Sequence, residues 1–322
     1  MKNFTITTWN IENLDDSDST LWNARKPVLK KMLDRTKADI LLLQEVHSID
    51  ALNELRQGTH YANHKITTTK KQDGTPFAKR NLVVLSKFSI LETKQYMNDL
   101  VNAPEWTKVT ANPVEQVKKI GWERPILHVK IDLGNGKKLH VINLHLKSFP
   151  PTTINGQIDP NNRFRWLTHG GWAEGFFISD VKRVGQALET RILLDQIFAQ
   201  DGDDALIAIG GDFNAEIDSV PFKTIVGSVD DTNNVVLRSS VLIPCELNVP
   251  LSQRYSLLHK GQGNMLDHVI VSQGFYPFWN ETKIFNELLH DESIAFATDD
   301  KFPESDHAPV NVYFSVPDSW FA

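Results

Sequence analysis

The sequence has only one cysteine, Cys245, among its 322 residues. A single thiol can form neither an intrachain disulfide nor a cysteine-based zinc cluster. No stretch approaches the ~20 consecutive apolar residues of a membrane-spanning helix, so we expect no integral membrane segment. No signal peptide is visible at the N-terminus. These absences favour a cytoplasmic location, and secretion stays open if a leader has been removed.

A basic excess is also missing, because the chain has 34 Lys and Arg residues and 40 Asp and Glu residues, which gives a formal charge of −6. A passive nucleic-acid binder usually carries a basic excess, so the charge disfavours that class. The charge does not exclude an enzyme acting on phosphates, because clustered acids bind cations that reverse the local sign.

The apolar pattern predicts strands and helices that alternate in part, with several short connections typical of mixed sheets. The predicted strands are 4–9, 40–43, 81–86, 126–132, 138–146, 205–210, 267–272 and 309–315, and the predicted helices are 22–37 and 176–199. Long irregular stretches are predicted at 58–80, 95–123, 149–175 and 227–264, and loops of this length are often functional. No linker, repeat or low-complexity tract divides the chain, so we expect residues 1–322 to form one domain.

Six short segments carry side chains suited to metal binding or acid–base chemistry, and most lie at an end of an apolar run. They are Trp9-Asn10-Ile11-Glu12, Gln44-Glu45, Asn143-Leu144-His145, Gly211-Asp212-Phe213-Asn214, Leu266-Asp267-His268 and Ser305-Asp306-His307. Strand ends deliver side chains to a shared edge, where carboxylates, amides and imidazoles suit a hard divalent cation and an anionic substrate. Each segment taken alone also has a structural explanation, such as a solvated acid at a strand end.

The segment around Asp212 and Asn214 is the most specific of the six. An apolar strand leads into Gly210-Gly211, and glycines permit a sharp turn or a close backbone approach. Asp212 and Asn214 are two positions apart and can point the same way, so that a carboxylate and an amide face one ligand. The alternative is a local Asx turn.

The pair Asp306-His307 places a carboxylate beside an imidazole whose ordinary pKa of ~6.5 suits proton transfer near neutrality. Asp267 is a candidate for the buried carboxylate that fixes the tautomer of His307. His268 should face the opposite side of its strand and is interpreted as structural.

Three polar residues, Asn143, His145 and Lys147, alternate with Ile142, Leu144 and Leu146. Their shared face, which ends in a cation, indicates a surface that faces an anion. A solvent-facing antiparallel strand is the alternative.

Taken together, the ordered motifs resemble the endonuclease/exonuclease/phosphatase superfamily over residues 5–315. That group includes deoxyribonucleases, exonuclease-type repair enzymes, neutral sphingomyelinases and inositol polyphosphate 5-phosphatases. The resemblance implies a four-layer α/β sandwich in which two packed mixed β-sheets are flanked by helices. It also implies hydrolysis of a phosphoester by in-line attack of water, with Mg²⁺ or Mn²⁺ as the cofactor.

The resemblance further implies roles for the motif residues. Glu45 is the principal metal ligand, helped by Asn10, Glu12 and Asp306. The implied catalytic residues are His145, Asp212, Asn214, Asp267 and His307. In this scheme His307, oriented by Asp267, is a base or stabilises the phosphate, while Asp212 handles the water or the leaving group. The identity of the base and of the acid stays open, as does the number of metal ions.

The substrate is less well defined by the motifs. The chain lacks the Trp-x-Gly-Asp-x-Asn and Pro-x-Trp-Cys-Asp-Arg forms that resemble the inositol 5-phosphatase branch, and His145 replaces the tyrosine common in abasic-site repair enzymes. The first expectation is therefore a nuclease that cleaves DNA or RNA. The alternatives are a sphingomyelinase-like phosphatase or phosphodiesterase on a lipid or small phosphoester, and a catalytically inactive binding module. No obligate protein partner is inferred.

Candidate substrate-binding residues lie before the strand 126–132, where Arg124 resembles a phosphate-contacting arginine of some relatives, and after His145. They are Arg124, Lys147, Arg163, Arg165 and Trp166. The last three belong to the aromatic-rich stretch 149–177, which suits stacking on bases, an ordered lid, or contact with lipid headgroups. A basic loop at 60–80 suits a nucleic-acid backbone or a solvated surface equally well.

Overall fold

The computed structural model describes residues 1–298 and 301–321, except for the side chain of Phe296. The strands are β1 Lys2–Leu14, β2 Ile40–Val46, β3 Lys65–Thr68, β4 Asn81–Ser86, β5 Ser89–Tyr96, β6 Glu105–Trp106, β7 Lys118–Lys119, β8 Ile126–Gly134, β9 Lys137–His145, β10 Ile158–Asp159, β11 Asn162–Trp166, β12 Leu206–Asp212, β13 Ile243–Pro244, β14 Leu257–His259, β15 Gln262–Asn264, β16 Asp267–Val271, β17 Trp279–Ile284 and β18 Val310–Val316. The helices are α1 Ser19–Thr36, α2 Ile49–Arg56, α3 His169–Asp201, α4 Val220–Val226, α5 Val229–Thr232 and α6 Glu292–Thr298. Short 3-10 helices lie at Val235–Ser240, Cys245–Asn248, Leu251–Gln253, Tyr276–Phe278 and Asp318–Trp320.

The main strands form two mixed sheets of six strands each. The first sheet has the order β17-β18-β1-β2-β4-β3, and the second has the order β13-β16-β12-β9-β8-β5. Strands β1 and β2 are parallel, as are β12 and β9, whereas the other neighbouring pairs run antiparallel. The mixed arrangement agrees with the prediction from the short connections.

Three apolar cores define four layers. The central core lies between the sheets and contains residues of both, such as Ile6 and Leu42 from the first and Val129 from the second. Helices α1 and α2 cover the outer face of the first sheet. Helices α3 and α4 cover the outer face of the second sheet, with Leu194 and Phe222 among the buried residues. The order helix, sheet, sheet, helix is the predicted four-layer α/β sandwich.

Helix α1 shows how the local sequence forms one of these layers. The side chain of Asp18 accepts hydrogen bonds from the N–H groups of Thr20 and Leu21 and caps the helix N-terminus. Its buried positions recur every three or four residues, so one face packs on the first sheet. The described residues contain no helix with both the length and the apolar character needed to cross a bilayer.

The predicted core strands are confirmed to within a few residues, but the irregular stretches contain more structure than expected. Helix α3 begins at His169, before the predicted residue 176, because Thr168 caps its N-terminus by accepting from Gly171 N–H. The stretch predicted as irregular at 58–80 contains β3, and the stretch at 95–123 contains β6 and β7. Strand β5 begins before that stretch and is mostly exposed at the sheet edge, so its sequence lacks a clear apolar alternation.

Candidate active site

Strand pairing brings the six polar segments to one edge of the sandwich, which we call the site edge. In the second sheet, Asp212 pairs with His145 on one side and with Asp267 on the other, so the three form one row. In the first sheet, Asn10 pairs with Gln44, the residue before Glu45. Residues that are distant in sequence therefore meet because they occupy equivalent strand ends.

Side-chain contacts join the two sheets at the site edge. Asn10 Nδ2 donates a 3.1 Å hydrogen bond to Asp212 Oδ2. His145 Nε2 lies 3.2 Å from the same Asp212 oxygen and 3.7 Å from Glu45 Oε1. The Ser305 hydroxyl donates to Asn10 O at 2.7 Å and holds the segment before β18 against β1.

The glycine pair before Asp212 permits the close approach that the sequence predicted. A Cβ on Gly211, whose φ is +153°, would lie 2.0 Å from Leu144 O. A Cβ on Gly210 would lie 2.6 Å from Leu42 Cδ1 of the other sheet. Larger residues here would push β12 away from β9 and from the facing sheet.

Asp212 and Asn214 form both the convergent pair and the local turn that the sequence allowed. Asn214 donates from its backbone N–H to Asp212 Oδ1 at 2.9 Å and from Nδ2 to Asp212 Oδ2 at 3.0 Å. Burial raises the pKa of Asp212, but nearby His307 and His145, together with these hydrogen bonds, outweigh burial and hold that pKa below its ordinary value. Asp212 is therefore ionised at neutral pH.

His307 and Asp267 form the predicted pair, with 2.6 Å between Nδ1 and Oδ2. Burial by itself would lower the pKa of His307, but the carboxylates of Asp267 and Asp212 outweigh it and raise that pKa well above its ordinary value. His307 therefore holds a proton at neutral pH. Both side chains are buried, so the ring has a fixed orientation.

Three further carboxylates, Glu12, Glu45 and Asp306, form what we call the acidic cluster. Asp306 N–H donates to Glu12 Oε2 at 3.1 Å, and Asn13 N–H donates to Glu45 Oε2 at 3.2 Å. Burial, reinforced by the other two carboxylates, raises the pKa of Asp306 well above its ordinary value, and burial also raises that of Glu12. The pKa of Glu45 is lowered, because nearby His145 and Arg124 outweigh its burial.

The donor set of the acidic cluster fits a hard divalent cation. Asp306 Oδ1 is enclosed and has no hydrogen-bond partner among residues 1–298 and 301–321. A cation that accepts carboxylate oxygens would satisfy this atom and relieve the repulsion between the three acids. Among the described residues, the group whose ligand atoms all lie within 4.8 Å of one another is a different one, Asp212, Asp267 and His307, in which Asp267 and His307 already bind each other.

Left-handed backbone conformations are concentrated at the site edge. Glu12, Asn13, Glu45 and Asn214 have φ angles of 48°, 46°, 60° and 47°. Such conformations are uncommon in residues other than glycine and cost free energy unless the surrounding contacts enforce them. The contacts at the site edge therefore hold the backbone of these residues in a specific geometry.

Arg124 and Lys147, two predicted substrate-binding residues, lie beside the site edge. Arg124 is buried and donates from Nη1 to Leu146 O at 2.8 Å, within electrostatic reach of Glu45 and Asp212. Lys147 donates from Nζ to the backbone oxygens of Ser148 and Pro150, both at 3.1 Å. Burial, reinforced by Arg124, lowers the pKa of Lys147 to about 8.

The other three predicted substrate-binding residues are not brought to this edge. Arg163 lies over the Phe164 ring, Arg165 pairs with Asp159 at 3.3 Å, and Trp166 packs on a small core beside α3. In the described part of the chain, none of the three has a hydrogen bond or ion pair with a residue of the site edge. All three residues lie on β11, which pairs with β10 in a hairpin apart from the two main sheets.

The interpretation of Asn143 as part of an anion-facing surface is wrong. Its side chain is fully buried and donates to Leu43 O and Val83 O of the other sheet, both at 3.0 Å. Asn143 thus connects the two sheets behind the site. His268 is structural as predicted, since it binds Glu246 at 2.6 Å and Ala215 O at 2.9 Å.

Arg25 is a site residue that the motifs did not reveal. Its guanidinium donates to Ile11 O at 3.0 Å and to Pro303 O at 3.3 Å, and its charge acts on Glu12 and Asp306. The sequence could have indicated this role, because Arg25 falls on the apolar face of α1, where a charged side chain needs a buried partner.

Comparison with known proteins agrees with this geometry. The model of the endonuclease/exonuclease/phosphatase family matches residues 7–307, so the chain belongs to that family. No curated protein matches the sequence. The chain is similar in structure to truncated Caenorhabditis elegans TDP2, with 17% identity, 98% of each chain covered and a TM-score of 0.57.

Two proteins of Bacteroides thetaiotaomicron are similar to a comparable degree. An endonuclease/exonuclease/phosphatase family protein has 18% identity, with 98% of this chain and 99% of that chain covered and a TM-score of 0.58. The mannosyl-6-phosphatase Bt3783 has 17% identity, with 96% and 98% covered and a TM-score of 0.56. At these identities the likeness shows the shared fold.

Proposed function

We propose that this protein is a divalent-cation-dependent phosphodiester hydrolase that cleaves DNA or RNA by in-line attack of water. The observation that carries the proposal is the meeting of three features at the site edge. These are an ionised Asp212, a protonated His307 held by Asp267, and an acidic cluster with an unpaired carboxylate oxygen. An anionic ester needs both cationic and acidic partners of this kind.

The acidic cluster would hold Mg²⁺ or Mn²⁺, with Glu45 as the principal ligand and Asn10 nearby. The ion would supply positive charge to the phosphoryl oxygens and lower the pKa of a water. Asn10 already connects the cluster to Asp212, because its Oδ1 accepts from Glu12 N–H at 3.0 Å while its Nδ2 donates to Asp212. The cluster and the reacting group are thereby held in a fixed relation.

The remaining residues orient the water and the phosphate. Asp212, kept ionised by its donors, would accept a hydrogen bond from the attacking water and orient it. His307 would donate a proton or a charged hydrogen bond from the ring nitrogen that does not bind Asp267. Burial, reinforced by Arg124, lowers the pKa of His145, so His145 would act as a neutral hydrogen-bond donor beside Asp212. Asn214 would orient the phosphate, and its hydrogen bonds would also orient Asp212.

A nucleic-acid substrate is favoured by cations next to the site edge. Arg124 is enclosed there, and Arg80 at the end of the basic loop 60–80 acts electrostatically on Arg124. Polynucleotides present phosphates at regular intervals and bind such cations with a strong dependence on salt.

A substrate panel tests the proposal. Supercoiled plasmid, single-stranded oligonucleotide, sphingomyelin and a sugar phosphate would each be incubated with and without Mg²⁺, using wild type and Asp212→Asn. We expect Mg²⁺-dependent cleavage of a nucleic acid that decreases by orders of magnitude in the variant. Cleavage of the lipid or the sugar phosphate alone, or no hydrolysis of any ester, would reject the proposed substrate class.

A further inference from the structure

A separate small core lies beside the main sandwich. It is formed by residues 104–120 and 150–168 packed on the first half of α3, with Ala111, Ile120, Ile154 and Ile178 at its centre. Glu174 of α3 accepts hydrogen bonds from Trp106 Nε1 at 2.9 Å and from Thr110 N–H at 2.9 Å. Asn112 N–H donates to Asn155 O at 3.0 Å and joins the two segments. The two segments are thus an ordered platform with a defined surface.

This platform contains a cavity of about 170 Å³ with four lysines in its lining. We call it the lysine pocket, and its lysines are Lys108, Lys118, Lys119 and Lys182. Glu115 is the one acid that lines it, and its carboxylate is shared by Lys118 at 3.0 Å and Lys108 at 3.6 Å. The lining therefore has an excess of positive charge on a protein whose net charge is −6.

Side-chain contacts connect the lysine pocket to the site edge. Lys182 pairs with Glu123, the residue before Arg124. Arg183, the next residue of α3, donates from Nη1 to Lys147 O at 2.7 Å. The positive charges of Arg124, Lys182 and Arg183 all act on Lys147. Basic side chains therefore extend from the site edge to the pocket, with Glu123 and Asp180 as the partners of Lys182 and Arg183.

The size of the cavity limits what it can hold. Pockets that enclose a whole small ligand have volumes of roughly 300–1,000 Å³, so 170 Å³ suits one compact group with its waters. Lysine ammonium groups bind phosphate as point charges and do not require the bidentate geometry of arginine. The indole of Trp106 and the side chain of Ile120 form an apolar part of the same lining.

We propose that the lysine pocket is a subsite for a second phosphate group of the substrate, remote from the ester that is cleaved. This inference rests on the proposed function and makes it more specific, because the substrate must then carry at least two phosphates on one strand. A polynucleotide meets this condition, whereas a minimal ester reaches only the site edge.

The test compares two substrates with one pair of variants. Lys108→Gln/Lys119→Gln removes two charges from the pocket. Lys137→Gln/Lys138→Gln is the matched control, because it removes two charges at the opposite end of the strand that carries His145. Each protein is assayed with bis(p-nitrophenyl) phosphate and with a single-stranded oligonucleotide, and thermal unfolding confirms that each is folded.

For the pocket variant we expect KM for the oligonucleotide to rise about tenfold, with turnover of the minimal ester unchanged. Its binding should also depend less on salt, because the logarithmic slope decreases by roughly 0.7 for each phosphate that the variant no longer neutralises. The control variant should resemble wild type, and Lys108→Arg/Lys119→Arg should restore the KM. An unchanged KM, or an equal rise in the control, would overturn the subsite.

Failure of the proposed function gives a different result. If wild type hydrolyses neither substrate, that function is rejected, and oligonucleotide binding by fluorescence anisotropy then tests the pocket alone. Equal affinity of wild type and the pocket variant for the oligonucleotide would overturn the lysine pocket as a phosphate subsite. Inorganic phosphate that binds wild type and not the pocket variant, while oligonucleotide affinity is unchanged, would assign the pocket to free phosphate and likewise overturn the substrate subsite.

Discussion

Asp267 and His307 are 40 residues apart in sequence, and a 2.6 Å hydrogen bond joins Asp267 Oδ2 to His307 Nδ1. Asp267 is fully buried at the start of β16, so it holds the ring in one orientation. The bond occupies Nδ1 and leaves Nε2 as the ring atom that can serve a substrate. The proposed chemistry of His307 depends on this arrangement.

Replacing either member of the pair should remove most of the activity. We expect Asp267→Asn and His307→Ala each to lower kcat by about 10²–10⁴-fold, as for other positioned acid–base groups. Because the two side chains act as a unit, the double variant should be little worse than the more impaired single variant. Steady-state hydrolysis of an oligonucleotide would measure this, with circular dichroism to confirm folding. Near-normal turnover in one of the variants would remove that residue from the catalytic assignment.

Arg25 should stabilise the folded protein, because it binds the backbone around the acidic cluster. Arg25→Met deprives the carbonyls of Ile11 and Pro303 of a donor and leaves Glu12 without its neighbouring cation. Removing one partner of such a buried charge network costs about 3–5 kcal/mol, which urea unfolding would measure as a lower free energy of unfolding.

The control for this prediction is Arg35→Met, on the same helix. Arg35 pairs with Glu287 at the surface, and exposed pairs contribute about 0–1 kcal/mol. If Arg25→Met lowered the free energy of unfolding as little as Arg35→Met, the result would contradict the proposed role of Arg25.

The sequence predicted the central strands and the residues of the site edge for identifiable physical reasons. Strands β2, β4 and β12 are buried on both faces, so they appear as continuous apolar runs. Residues at equivalent strand ends converge, and this brings Glu45 and Asp212 to one edge. Their catalytic and metal-binding roles, and the organisation of the chain as one domain, stay predictions.

Other features depend on contacts that a local pattern does not reveal. The exposed edge strand β5 is defined by its pairing with β8, since its own sequence is mostly polar. Asn143 looked like a ligand-facing residue because a single strand does not reveal which of its faces meets a second sheet. Trp166 was predicted to contact the substrate, and in the fold it packs against the small core beside α3, an arrangement that the platform determines.

Acid should destabilise the protein through a buried histidine pair. His128 Nε2 lies 2.9 Å from His140 Nδ1, and burial lowers the pKa of His128 to about 3. The folded state therefore keeps His128 neutral, whereas the unfolded chain binds a proton below a pH of about 6.5. The stabilisation is complete above that pH and is lost as the pH falls from about 6.5 towards 3.

The variant His128→Gln should remove this pH dependence. Between pH 7 and pH 5, wild type should lose about 2 kcal/mol more of its free energy of unfolding than the variant. Urea unfolding at the two pH values measures the difference, with the exposed His169→Gln as a control that behaves like wild type. An equal loss in wild type and His128→Gln would show that His128 does not cause the effect.

The acidic cluster can be tested by reducing its charge without changing its size. Glu45→Gln should raise the Mg²⁺ concentration needed for half-maximal activity by at least about tenfold, because a ligating carboxylate is replaced by a neutral amide. A Mg²⁺ titration of oligonucleotide hydrolysis measures it. The matched control is Glu287→Gln at the surface, which should titrate like wild type. An unchanged Mg²⁺ requirement in Glu45→Gln would contradict its assignment as the principal ligand.

The central claim is that the site edge hydrolyses a phosphodiester with the help of a divalent cation. The most direct measurement is the rate of oligonucleotide cleavage by wild type after exhaustive chelation with EDTA and again after Mg²⁺ or Mn²⁺ is restored. We predict that chelation abolishes cleavage and that either ion restores it. Cleavage that continues at an undiminished rate in the chelated protein would contradict the account.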